Sequence, residues 1–151
     1  MMYTQIISKQ YLRTVTIIHG ALTLGQVLFA SITLIANNGK EMDPTQATTN
    51  NMLLVMAILM VGGGMALGTF LFKRKLIAIQ QSNNLVEKLN DYSTALIIRF
   101  AMMEGPSLFC IIAYLLTSNY LFLVLAAVVL TVFIILRPTR ANVLRDLELG
   151  S

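Results

Sequence analysis

The chain has 151 residues, of which 56% are hydrophobic and only 12% are charged, and its mean hydropathy is +0.73. This composition excludes an ordinary water-soluble domain, which needs more polar surface to cover its core. It indicates one integral membrane domain over residues 1–151. One histidine and one cysteine supply neither a metal-ligand cluster nor a nucleophile–base pair, so the sequence predicts no enzyme, no cofactor and no metal site.

Four apolar runs predict the fold. They cover residues 14–36, 52–72, 95–117 and 120–136, and each is long enough to cross a bilayer as a helix. We therefore expect an all-α bundle of four transmembrane helices, in which the first run acts as a signal anchor. Residues 1–13 are predicted to form either a short helix in the membrane plane or a frayed tail.

Basic residues are distributed unevenly about these runs. With four spans, both termini and the connection between the second and third runs lie on one side. That side holds Lys9, Arg13, Lys73, Arg74, Lys75, Lys88, Arg137, Arg140 and Arg145, with Arg99 just inside the third run, whereas the other side holds only Lys40. The positive-inside rule then places both termini in the cytoplasm of a bacterial-type inner membrane. The net charge of +4 reflects this asymmetry, so the expected partner is the lipid bilayer and not nucleic acid.

The polar segments at this side carry helix signals. Residues 73–93 predict a helical extension with a break near residues 82–84, and Asp91 or Ser93 is expected to cap the third span. Residues 140–149 place apolar side chains on one helical face. They predict a short amphipathic helix on the inner leaflet.

Small residues recur at helical spacing in three runs. The pairs are Ala21 and Gly25 in the first run, Gly64 and Gly68 in the second, and Ala101 and Gly105 in the third. Such pairs let helix backbones approach closely in lipid, so we expect all three to mark helix contacts. A shift of 80 residues aligns the first and third runs with seven identities in about twenty positions. This repeat predicts a tandem duplication of a two-helix hairpin, whose first and third helices pack through their small residues.

One acid, Glu104, lies inside an apolar run, about ten residues or roughly 15 Å from the end of its helix. A carboxyl group at this depth is costly unless it is protonated or paired, which marks it as a candidate site. Pro106 cannot donate a backbone hydrogen bond to the carbonyl of Met102, so an acceptor is freed one turn from the acid. Arg99 and His19 complete the candidate ion or proton site. The alternative for His19 is a helix-packing side chain with a hydrogen-bond partner.

Two interpretations of Glu104 follow. In the first, Glu104 locks helix packing or docks another subunit, and the protein is an accessory or scaffold subunit of a larger inner-membrane complex or self-associates. In the alternative, Glu104 serves proton or cation translocation. A chain this small has little room for an enclosed pathway of its own, which favours the first interpretation.

Residues 62–116 resemble the c subunit, or proteolipid, of rotary ATPases. The shared features are a glycine-rich helix, a polar cytoplasmic loop, and a helix with a mid-membrane carboxylate in an A-x-x-E-G-P context. This resemblance implies an ion-binding role for Glu104 and ring-like oligomers. The whole chain also resembles small bacterial four-span membrane proteins with an R-P-T…D-L-x-L tail, a resemblance that implies no activity.

Overall fold

The computed structural model describes residues 2–82 and 84–147, with side chains from residue 11 onward. These residues form five α-helices and one turn of 3₁₀-helix, and no strand occurs among them. The helices are α1 (Met2–Ala36), α2 (Ala47–Gln80), α3 (Leu85–Thr117), α4 (Tyr120–Ile135) and α5 (Arg140–Asp146), and the 3₁₀ turn is Pro44–Gln46. The predicted all-α fold is confirmed.

Three helical segments are long and apolar enough to cross a membrane: Tyr11–Ala36, Pro44–Gln80 and Leu85–Thr117. The helix α4 has 16 residues, or about 24 Å, which is shorter than the roughly 30 Å of a bilayer core. It counts as a fourth span only together with α5, to which it is joined at a bend of 74°. A helix bundle with three helices long and apolar enough to cross a membrane is therefore confirmed, and the fourth span stays a prediction.

Large apolar side chains cover the outside of the bundle. Ile32 on α1, Leu59 on α2 and Ile135 on α4 have 62%, 68% and 73% of their surface exposed. Apolar surface on this scale suits contact with hydrocarbon, because water would penalise it at every such position. The outer surface of the bundle is therefore apolar, which is consistent with a multi-pass membrane protein.

The helix α3 organises the interior, because it contacts α1, α2 and α4. It carries more buried side chains than any other helix, among them Phe100, Met103 and Tyr114. Phe122 and Phe133 of α4 complete the largest part of the core. The surroundings of a residue on α3 therefore depend on which neighbouring helix its side chain faces.

The helices run further than the apolar runs predict. The helix α1 is continuous from Met2, so the predicted frayed tail at its start is wrong, and its placement in the membrane plane stays a prediction. The helix α3 begins at Leu85, where the side chain of Asn84 accepts a hydrogen bond from the amide of Val86, so Asp91 and Ser93 are not its caps. With 34 and 33 residues, α2 and α3 are each about 50 Å long and extend well beyond a bilayer core.

The extended ends of α2 and α3 hold α5. The side chain of Gln80 donates a hydrogen bond to the carbonyl of Asp146 at 2.8 Å, and the hydroxyl of Tyr92 donates to its carboxylate at 2.9 Å. Val143 and Leu147 are buried. The predicted amphipathic helix therefore exists, but its apolar face packs on protein instead of lying on the leaflet. The last residues of the predicted segment, 148–149, lie outside the described residues.

Asparagines fix the opposite end of the bundle. The buried amide of Asn37 donates hydrogen bonds to the carbonyls of Tyr114 and Leu115, at 2.8 and 3.1 Å. The carbonyl of Leu115 lies in the last turn of α3, and that of Tyr114 also accepts from the amide of Ser118, so this contact joins the ends of α1 and α3. Asn119 donates to the side chain of Asn50 at 2.9 Å and so joins α4 to α2.

Candidate functional site

Glu104 lies on the side of α3 that no other helix covers. We call this side the outward face of α3; it consists of Ile97, Ala101, Glu104, Gly105, Leu108 and Ile112, all of which are exposed or half-buried. Their spacing places them along one side of a helix. In the part of the chain that the structure describes, the carboxyl group of Glu104 has no hydrogen bond and no ion pair. It is the one ionisable group on an otherwise apolar face.

The position of Glu104 has an energetic consequence. A charged side chain at the centre of a membrane helix costs about 2.5–3.5 kcal/mol on insertion scales, unless it is neutralised or paired. Glu104 cannot reach the interface as a long basic side chain does, because its stem is short. Protonation of the carboxyl group or a group that pairs with it would each remove this cost.

Met102 and Pro106 lie at the contact with α2. A Cβ atom built on Gly64 would lie 2.6 Å from the carbonyl oxygen of Met102 and 2.7 Å from Cγ of Pro106. The backbone of Gly64 therefore covers the carbonyl that Pro106 leaves without an N–H donor, and its Cα–H group is a weak donor to such an oxygen. The carbonyl oxygen of Met102 thus faces Gly64, and the contact between α2 and α3 covers it.

Gly68 continues the same contact one turn later. A Cβ atom there would lie 3.3 Å from Cβ of Met102 and 3.6 Å from the carbonyl oxygen of Arg99. The pair Gly64 and Gly68 thus brings α2 and α3 together, as small residues at this spacing are expected to do.

The other small-residue pairs face away from the bundle. Ala21, Gly25, Ala101 and Gly105 are all exposed, and a Cβ atom added to either glycine would meet no atom within 4 Å. The predicted contact of α1 with α3 through these residues is therefore not made within the chain. The reason is that α1 turns a different face, which carries polar side chains, toward the other helices.

His19, Gln26 and Thr33 form that inward face of α1, with 5%, 1% and 1% of their surfaces exposed. The Nε2 atom of His19 donates a hydrogen bond to the carbonyl of Phe133 at 2.9 Å, and its ring stacks on the ring of Phe133 at 4.4 Å. This carbonyl is among the last four of α4, which lack partners within the helix. The geometry of His19 thus suits a packing role that joins α1 to α4.

Two buried polar groups were missed by sequence reasoning. The amide of Gln26 and the hydroxyl of Ser107 are buried without a hydrogen-bond partner among the described residues. A polar group buried in this way is costly, so both positions are unusual. The signal for Gln26 was available, because it lies seven residues after His19 and seven before Thr33, on one side of α1.

Arg99 faces α2, away from Glu104. Its guanidinium lies over the ring of Phe72, 4.8 Å from the ring centre, as in a cation–π contact. The candidate ion or proton site is therefore divided. Met102 and Pro106 lie together against α2, His19 contacts α4, and Glu104 faces outward alone.

Exposure agrees at some pairs of the 80-residue repeat and differs at others. Ala21 and Ala101 are both exposed, whereas Ser31 is exposed and its counterpart Ile111 is buried. The tandem duplication therefore stays a prediction. The second helices of the two hairpins differ in length, since α2 has 34 residues and α4 has 16.

The hairpin of α2 and α3 carries the features behind the resemblance to the rotary c subunit. Two of the four glycines of α2, Gly64 and Gly68, face the helix that bears Glu104, whereas a Cβ atom on Gly62 or Gly63 would meet nothing within 4 Å. The implied ion-binding role and ring-like assembly stay predictions. Comparison with protein-family models, with curated proteins and with solved structures finds no match for this chain.

Proposed function

We propose that this protein is an accessory or scaffold subunit that associates with another membrane protein, or with a second copy of itself, through the outward face of α3. The observation that carries this proposal is the carboxyl group of Glu104, which lies on that face without a partner among the described residues. A partner helix that donates a hydrogen bond or a positive charge removes the cost of this group.

The residues beside Glu104 support a helix as the partner. Ala101 and Gly105 are exposed and small, so a second helix can approach closely at the level of the carboxyl. Ile97 and Ile112, with 41% and 44% of their surfaces exposed, provide apolar contact on either side. The face thus combines a polar centre with flanking apolar surface, as lateral contacts between membrane helices do.

The placement in the membrane belongs to the same proposal. We infer a bacterial-type inner membrane, with both termini in the cytoplasm and with α4 and α5 together forming a bent fourth span. The distribution of lysine and arginine supports this orientation, because ten of the eleven lie at or near one side of the four apolar runs.

Matched substitutions test the association. Ala101→Leu adds bulk to the outward face of α3, and Ala127→Leu adds the same bulk to an exposed position of α4. The mass of the natively purified protein and its energy transfer between labelled copies in liposomes measure assembly. We expect Ala101→Leu to weaken assembly while Ala127→Leu does not. A monomeric wild type without co-purifying protein, or equal effects of the two variants, would refute the proposal.

Substitution of the acid separates association from translocation. Glu104→Leu removes the polar centre, and we expect it to weaken assembly about 3- to 30-fold, from the 0.6–2 kcal/mol of polar contacts between membrane helices. Glu104→Gln keeps a hydrogen-bonding group and should assemble nearly as the wild type does. A proton or cation flux in proteoliposomes that Glu104→Gln abolishes, with normal assembly, would instead establish translocation.

A further inference from the structure

An open cavity of about 300 Å³ lies at the end of the bundle where α4 bends into α5. Its lining comes from α2, α3 and the α4–α5 bend. The charged residues that line it are Lys73, Arg99, Arg137, Arg145 and Asp146, so four cations face one carboxylate. We call this cavity the basic pocket. A pocket with this charge balance favours an anion.

The single carboxylate is already engaged. Asp146 accepts a hydrogen bond from the hydroxyl of Tyr92 at 2.9 Å, and it lies 3.5 Å from Nε of Arg145. That contact is the one ion pair among the described residues. Lys73, Arg99 and Arg137 therefore face the pocket without an ion pair in the described part of the chain, and Asp146 interacts with Arg99 only at longer range.

Arg99 is held as an anion ligand. Its guanidinium is fixed over the ring of Phe72, and its Nε atom is buried without an acceptor. A buried donor that lacks an acceptor is costly, so the site is completed by an acceptor that enters the pocket. The planar fork of a guanidinium matches two oxygens of a phosphate group, which makes phosphate the fitting chemistry.

The rest of the lining distinguishes a lipid from a free anion. Apolar side chains contribute much of it, namely Phe72, Leu76, Leu96, Ile135 and Leu136. A free phosphate has no use for this surface, whereas the upper part of an acyl chain does. We propose that the basic pocket binds the headgroup phosphate of an anionic phospholipid, with the start of its acyl chains against these apolar residues. Basic pockets between membrane helices bind anionic lipid headgroups by this chemistry.

Native mass spectrometry of the full chain in detergent tests the proposal, with phosphatidylglycerol as the anionic probe and phosphatidylcholine as the neutral one. The variants Arg99→Met and Arg137→Gln remove pocket charges. The control is Arg74→Gln, which removes an exposed charge of α2 that does not line the pocket. We expect either pocket variant to weaken binding of phosphatidylglycerol about tenfold, as loss of one charged hydrogen bond does. Arg74→Gln should stay close to the wild type.

The controls keep the test decisive. Circular dichroism shows whether each variant keeps its helices, and Arg99→Lys should restore part of the affinity because it keeps the charge. Where Arg99→Met fails to fold, Arg137→Gln decides. Equal losses for Arg74→Gln and the pocket variants would overturn the proposal, since they indicate diffuse attraction. Equal affinities for inorganic phosphate and for phosphatidylglycerol would overturn it too, because the apolar lining would then contribute nothing.

Discussion

The contact between α2 and α3 gives the sharpest test of the fold. Replacing Gly64 by alanine puts a Cβ atom 2.6 Å from the carbonyl oxygen of Met102 and 2.7 Å from Cγ of Pro106. Both neighbours are rigid, because one is helix backbone and the other is a proline ring inside α3. The helices must therefore separate. Overpacking of this kind costs about 1–3 kcal/mol.

A neighbouring glycine supplies the control. A Cβ atom on Gly63 would meet nothing within 4 Å, so Gly63→Ala adds the same methyl group to the same helix in open space. Both variants gain about 0.5–1 kcal/mol from the better helix propensity of alanine. The difference between them isolates the clash, and we expect Gly64→Ala to be less stable than Gly63→Ala by about 1–3 kcal/mol.

Reversible unfolding in mixed micelles, in which sodium dodecyl sulfate is titrated and helix content is followed by circular dichroism, measures these free energies. Gly68→Ala serves as an intermediate case, because its Cβ atom would lie 3.3 Å from Cβ of Met102 and needs only a small shift. The expected order of stability is Gly63→Ala, then Gly68→Ala, then Gly64→Ala. Equal stability of Gly64→Ala and Gly63→Ala would refute the close approach of α2 and α3.

Three further predictions concern polar side chains. His19→Phe keeps an aromatic ring but leaves the carbonyl of Phe133 without its donor, so unfolding free energy should fall by about 1 kcal/mol in the same assay; an unchanged value would count against this bond. Gln26→Leu removes a buried unpaired amide and should raise that free energy by about 1 kcal/mol, whereas a loss would show that the amide is bonded. In the loop before α2, hydrogen bonds from the hydroxyl and amide of Thr45 hold the pKa of Asp43 below its ordinary value. Their stabilisation is present above the ordinary pKa of an aspartate and is lost as pH falls through the lowered pKa. Thr45→Ala should raise the midpoint that nuclear magnetic resonance records for Asp43, and an unmoved midpoint would contradict the cause given.

The apolar runs predicted the membrane helices but not their full lengths. Hydropathy reports where the chain meets lipid, and residues 85–94 are too polar to extend the third run. Their helix is stabilised instead by contacts that no run reveals, namely the cap from Asn84 and the hydrogen bond between Tyr92 and Asp146. The hydrogen bonds from Gln80 and Tyr92 to Asp146 likewise explain why the final helix packs on protein instead of on the leaflet.

Small-residue pairs could be recognised from the sequence, but their partners could not. The spacing of Ala21 and Gly25 indicates that a helix can approach that face, and it does not say which helix. Only Gly64 and Gly68 meet another helix of the chain. In lipid, apolar side chains gain nothing by turning inward, so α1 turns inward the side that carries His19 and Gln26. A search for the polar side of α1 would have identified its packing face.

Because α1 turns its polar side inward, the outward position of Glu104 on α3 is an exception, and its carboxyl group needs a partner. Outward-facing hydroxyl groups in this bundle satisfy themselves, since Ser31 and Thr131 donate to carbonyls four residues earlier at 2.8 and 2.7 Å. An ionised carboxylate can only accept, and the N–H groups inside a helix are already bonded, so α3 has no donor to spare for Glu104. Ser31 and Thr131 thus bond on their own helices, whereas the carboxyl group of Glu104 has no partner among the described residues. The outward face of α3 lacks a donor for this carboxylate. We expect association there because another chain can provide that donor.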